Sequence, residues 1–234
     1  DKRQRNALYL AIAGNHEKVA NQLLDAGVNP VNILIGGKSE LMLASEKMST
    51  QTVMRLLRKG GDAGLRDKED HDALWYAVGS GDSELVRLLL KGETDINRKD
   101  QRGFSLIHEA ASGGSPEIVT LLLDNGADVD VTASDGNTPL LIASSRGNAG
   151  VIKVLIAGGA DVNIKNDIGN TPLMLSVLAN EVESVQILLD AGADIDLRNN
   201  MREQAISMAE LADQTAIIEL LRKHKKDNKL FGIF

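Results

Sequence analysis

Paired carboxylates are the first residues in this chain with the types and spacing for chemistry. Asp128 with Asp130, and again Asp194 with Asp196, stand two residues apart. Such pairs can serve as general acid and base or as calcium ligands. They recur, however, at one place in an internal repeat, alongside Asp95 with Asn97 and Asp161 with Asn163. That recurrence points to turn chemistry, in which Asp and Asn side chains bond the backbone two residues on. Four histidines, His16, His71, His108 and His224, fall in four different repeats without metal-ligand spacing. His108 reads as a structural residue bonding the neighbouring turn. The glycines are periodic, no Gly-x-x-x-x-Gly-Lys occurs, and no serine is framed as a nucleophile. The basic run Arg222-Lys223-His224-Lys225-Lys226 is placed at a helix C-terminus, where cations complement the dipole. No catalytic residue, metal site or cofactor is implied, and the expectation is a protein that is not an enzyme.

Composition narrows the classes further. Apolar residues at 43% and charged residues at 25% describe a soluble folded chain. Aromatics make up only 3%, so Leu, Ile, Val and Ala must build the core. A net charge of −7 argues against a general nucleic-acid binder. No apolar run reaches the ~18–20 residues that span a bilayer. The absence of cysteine excludes disulfides, zinc ribbons and thiol catalysis. The compartment stays open between the cytoplasm and, for an exported bacterial protein, the periplasm, toward which the lack of cysteine is a weak pointer. Residue 1 already reads as folded sequence, so the lack of a signal peptide carries no information.

The elements that position these residues follow a single period. Leu8, Leu41, Leu74, Ile107, Leu140, Leu173 and Ile206 are 33 residues apart at every step. The same step connects Leu23, Leu56, Leu89, Leu122, Leu155, Leu188 and Leu221. Units of about 1–33, 34–66, 67–99, 100–132, 133–165, 166–198 and 199–231 therefore cover the chain without insertion. Each unit predicts two short helices. Asn6, Ser39, Asp72, Ser105, Thr138 and Thr171 are N-cap types for the first helix, and Gln204 breaks the series. Asn15, Gly81, Gly114, Gly147 and Asn180 suit a left-handed C-cap, whereas Met48 predicts a strained or differently shaped turn. A further turn glycine follows the second helix at Gly27, Gly60, Gly126, Gly159 and Gly192. Such units bury their apolar faces only by stacking, and the expected fold is an all-α repeat solenoid forming one domain over 1–234.

These residues resemble the ankyrin family. Gly136-Asn137-Thr138-Pro139-Leu140 and Gly169-Asn170-Thr171-Pro172-Leu173 match its helix-opening motif. Gly126-Ala127-Asp128-Val129-Asp130, Gly159-Ala160-Asp161-Val162-Asn163 and Gly192-Ala193-Asp194-Ile195-Asp196 resemble its hairpin-leading motif. The resemblance implies helix-turn-helix units with β-hairpin fingers, a curved stack and a concave face used to bind proteins. The first and last units depart from the motif, as polar capping units would.

The resemblance also implies that finger tips and inner-helix ends contact a partner. Most tips are polar, but "NPVNILIGG" places Ile33, Leu34 and Ile35 on the first finger, with Lys38 beside them. Phe104, Ile168 and Met201 are apolar at later fingers, and Lys47, Arg146 and Leu178 are expected to line the concave surface. Arg102, Asp135, Asn137, Arg146, Asn170 and Glu203 would supply the polar rim, and His71, in a finger, is a further candidate contact. The leading expectation is a protein-binding module, monomeric by itself, with a folded protein partner and neither nucleic acid nor a small-molecule substrate. One alternative is a bacterial inhibitor or immunity-type protein that occludes an enzyme's active site. Another is a scaffold or regulatory segment of a longer polypeptide, and the apolar tail Leu230-Phe231-Gly232-Ile233-Phe234 would then continue or fold back on the last unit.

Overall fold

Polar caps and periodic glycines divide the chain into short helices that come in consecutive pairs. The computed structural model describes residues 6–32, 37–92 and 95–230, with side chains through Asp227. Inner helices are α1 (Ala7–Ala13), α3 (Glu40–Lys47), α5 (Ala73–Ser80), α7 (Leu106–Gly113), α9 (Pro139–Arg146), α11 (Pro172–Leu178) and α13 (Ala205–Leu211). Outer helices are α2 (Glu17–Asp25), α4 (Thr50–Arg58), α6 (Ser83–Leu89), α8 (Pro116–Asp124), α10 (Ala149–Ala157), α12 (Val182–Asp190) and α14 (Thr215–Leu230). The fold is an all-α repeat solenoid. It divides into two compact units, residues 1–101 and 102–234. In the first, α1, α3 and α5 stack as one layer and α2, α4 and α6 as the other. In the second, α7, α9, α11 and α13 form the inner layer, backed by α8, α10, α12 and α14.

Local chemistry accounts for the helix ends. Asn6, Ser39, Asp72, Thr138 and Thr171 each accept the N3 backbone N–H of their helix. At Ser105 the backbone N–H instead donates to Nδ1 of His108 at 3.0 Å. That bond leaves Nε2–H to donate to the carbonyl of Asn137 at 3.2 Å, so the fully buried His108 ties its helix to the next turn. Asn15 and Asn180 close their helices at φ 57° and 58°. Met48 is extended, with φ −115°, and feeds directly into Ser49, which caps α4; the turn is differently shaped rather than strained. The core is aliphatic: Leu8, Ile12, Leu41, Leu56, Ile107, Leu122 and Leu140 are all essentially inaccessible.

Where they are described, the connections between pairs are turns, and the described residues contain no β-strand, so the expected β-hairpins are not seen among them. In the turns at 133–137, 166–170 and 199–203, the first residue's N–H bonds the fifth residue's carbonyl, at 2.8, 3.2 and 3.0 Å. Successive turns are also joined, through Ser134 N–H to the Arg102 carbonyl, Asp167 to Asp135, and Asn200 to Ile168. Glycine is required at this junction. Gly103, Gly136 and Gly169 have φ near 75°, and a Cβ on any of them would lie 2.8 Å from the next turn's backbone nitrogen. In the first unit Asp70 holds the equivalent place at φ 72°. There the link to the following turn runs through the Gln101 side chain to the Lys68 carbonyl.

Candidate functional site

The carboxylate pairs are occupied by backbone. Asp128 accepts the N–H of Asp130 at 3.1 Å, and Asp194 that of Asp196 at 2.8 Å. Asp161 and Asp95 hold Asn163 and Asn97 in the same way. Asp130 reaches forward to the N–H of Asp161, and Asn163 makes the equivalent bond to Asp194. Burial, together with Asp161 and Asp128 nearby, raises the pKa of Asp130 above the usual carboxylate value. Among the described residues no three His, Asp or Glu side chains gather as a metal site. The basic run lies within α14 rather than at its end, with Arg222 paired to Glu210 and Lys225 to Asp196, each at 2.8 Å. An open groove of about 540 Å³ between α12 and α14 is lined by Val182, Ala216 and Leu220 with Glu183, Gln186, Glu219 and Lys223, and it contains no catalytic grouping.

The candidate face is instead formed by turn tips and inner helices. In residues 102–234, Ile168 is 54% exposed at one tip and Met201 is 69% exposed at the next. Leu178 at the end of α11 and Leu211 at the end of α13 are 59% and 84% exposed. Each pair is separated by one repeat, so two apolar rows run across adjacent units. Leu175, half-buried and one helical turn before Leu178, continues the row along α11. Asp135 is exposed at the preceding tip, binding the N–H and side chain of Asn137, and Arg146 is exposed at the end of α9.

Several expected contact residues are turned inward. Asn170 is 4% exposed, with its N–H on Asn166 Oδ1 and its own Oδ1 accepting from Asn199; it is a turn residue, not a rim residue. Asn137 is half-buried between Asp135 and Asn166. Phe104 is half-buried, its ring 5.1 Å from His108 and covered by the Arg102 guanidinium at 4.8 Å. His71 stacks on Trp75 at 4.0 Å, with Asp100 3.3 Å from Nε2 and Asp67 3.8 Å from Nδ1. Lys38 bonds Glu46 at 2.8 Å and sits 4.0 Å over the Tyr76 ring. Lys47 is exposed. Ile33, Leu34, Ile35 and the tail residues Phe231–Phe234 lie outside the described residues.

Leu211 is the residue that sequence reading missed. The signal was available, since it stands 33 residues after Leu178, but the last unit was expected to be polar. The last unit is not polar throughout: it exposes both Met201 and Leu211.

The model of the ankyrin-repeat family matches residues 41–133, 107–199 and 141–230, in three overlapping copies. The chain belongs to the ankyrin-repeat family. No curated protein matches it. Ankyrin repeats are generally protein–protein interaction modules and typically non-enzymatic. Among the described residues, no helix of this ankyrin-repeat protein is long and apolar enough to cross a membrane.

Proposed function

We propose that the protein binds a folded protein partner, without catalysis, through the turn tips and inner helices of residues 102–234. The observation that carries this reading is the pair of exposed apolar rows, Ile168 with Met201 and Leu178 with Leu211. Single surface hydrophobes are ordinary, but apolar residues exposed at one place in successive units and edged by polar residues fit an interface better than chance exposure does. Fully covering one such leucine contributes about 1.5–3 kcal/mol before ordering costs. Asp135 and Arg146 at the rim supply orientation. The test is capture of partners from the source organism by wild type and by the double variant Ile168→Asp, Met201→Asp. Loss of a specific partner with unchanged helical circular dichroism supports the reading; identical capture sinks it.

A further inference from the structure

We propose that Glu40 is a proton-sensitive latch, a buried carboxyl that holds the Val31–Asn32 segment while neutral and lets it go when ionised. This latch does not depend on the binding face of residues 102–234. Glu40 opens α3 at a repeat position held elsewhere by Ala7, Ala73, Leu106, Pro139, Pro172 and Ala205. It is the one charged residue at that place, and it is 1% exposed. Its Oε2 accepts the N–H of Val31 at 2.7 Å. Its Oε1 is buried and has no hydrogen-bond partner among the described residues. The other buried carboxylates meet a basic side chain, Asp72 with Arg98 at 2.9 Å and Asp100 with His71 at 3.3 Å. No ion pair of this kind reaches Glu40 among the described residues.

Two features favour the ionised form. The Val31 bond is stronger to a carboxylate, and the first turn of a helix stabilises an anion. Burial outweighs both, because a carboxylate removed from water needs more partners than one N–H. Burial raises the Glu40 pKa above its ordinary value, and the Val31 N–H, the Asn6 side chain and the Asn32 backbone only lessen the rise. Charges on the neighbouring elements do not enter. Helix α1 carries none, its one titratable group being Tyr9, and residues 28–32 carry none. On α4, Arg55 is paired with Asp25 and Arg58 is exposed. On α5, Tyr76 is bonded to Asp67, and the cap Asp72 is paired with Arg98. On α3 itself Glu46 is held by Lys38, and Lys47 is exposed.

The segment that Glu40 holds also joins the first repeat to the second. Val31 and Asn32 are exposed, so their release disturbs no core packing. Asn32 stands in the left-handed region at φ 48°. Its side chain donates to the Gly60 carbonyl at 2.6 Å and accepts the N–H of Asp62 at 2.9 Å. Losing the Val31 bond removes one anchor of this bridge. A raised acid contributes stability that is complete below the unfolded value and fades as pH climbs through the folded one. The junction is therefore tight in acid and loosens as Glu40 ionises.

Nuclear magnetic resonance on the full chain tests the latch. The side-chain carboxyl of Glu40 is followed from about pH 3 to 9, together with hydrogen-exchange protection of the Val31 and Asp62 amides, corrected for intrinsic rates. The carboxyl midpoint should lie above 4.5. For each unit by which it does, Val31 protection should fall about tenfold across the titration, and Asp62 should follow in the same direction. Glu40→Gln keeps an acceptor for Val31 and cannot ionise, so its protection should stay flat. A midpoint at or below 4.5, Val31 protection that ignores the titration, or the same fall in Glu40→Gln overturns the proposal. The first two outcomes need only the wild-type chain and decide the matter even where the variant does not fold.

Discussion

Particular residues of the two compact units use the same places in the repeat in opposite ways. Glu46 in residues 1–101 corresponds to Leu178 and Leu211 in residues 102–234, and Tyr76 corresponds to Leu175 and Met208. Glu69 corresponds to Ile168 and Met201. In the first unit the polar residues answer one another. Glu46 holds Lys38, Lys38 covers the Tyr76 ring, and the Tyr76 hydroxyl donates to Asp67 at 2.5 Å. Asp67 in turn lies beside His71, which faces Asp100. In the second unit Ile168, Met201, Leu178 and Leu211 are apolar and meet solvent, whereas Leu175 is half-buried and Met208 is buried; at the Tyr76 place the first unit too has an exposed leucine, Leu10. A closed polar network already has its partners within the unit, whereas exposed leucines gain theirs only when something covers them. Identical frames can therefore carry a polar network at these places in one unit and exposed apolar side chains in the other.

The sharpest way to break this contrast is the double variant Leu178→Asp, Leu211→Asp. Partner affinity should fall by about 100-fold or more, while the melting temperature stays put because neither side chain is in the core. Titration calorimetry and thermal denaturation, run side by side, check both halves. The mirror experiment is Asp67→Ala in the first unit. It strips the acceptor from the N–H groups of Glu69 and His71 and from the Tyr76 hydroxyl. Stability should drop by about 2–3 kcal/mol in urea unfolding, with partner affinity unchanged.

Tyr76→Phe should cost less, about 1 kcal/mol. Burial and the bond to Asp67 push the Tyr76 hydroxyl above its ordinary value of 10.0. A raised acid contributes stability that is complete below the unfolded value and fades as pH climbs through the folded one. The gap between wild type and Tyr76→Phe should thus be flat up to about pH 9 and narrow only above 10; a gap that changes between pH 6 and 8 would contradict the network. The smallest effect is expected at Asp130→Asn. Asn163 makes the same turn-to-turn bond at the same repeat position, so the variant keeps the bond and loses the crowding with Asp128 and Asp161. Because the Asp130 pKa is raised, its charge disfavours the fold at neutral pH and not at acid pH. A rise in melting temperature of about 1 °C at pH 7 that disappears below about pH 4 is the expected outcome.

Much of the fold could be read directly from residue types. N-cap residues, left-handed C-cap residues and turn glycines act through bonds to backbone a few positions away, so Asn6, Thr138, Asn180 and Gly136 announce their roles locally. The Asp pairs were recognisable as turn residues for the same reason. The candidate face was only partly readable. Ile168, Leu178 and Met201 stood out as apolar residues at places where the repeat exposes side chains, yet Phe104 and His71 looked equivalent and are covered. Their exposure depends on the Arg102 guanidinium, the Trp75 ring and the Asp100 carboxylate.

By itself the sequence determined the period, the helix boundaries, the aliphatic core and the family, because all of these arise from short-range spacing and capping. Only the tertiary structure decided that Asn170 is buried, that Lys38 and His71 are engaged, and that Leu211 is the most exposed large hydrophobe among the described residues. Accessibility is set by how side chains fold over one another, some within the repeat, as Arg102 over Phe104, and some from the next, as Asn199 on Asn170, and residue spacing does not specify that.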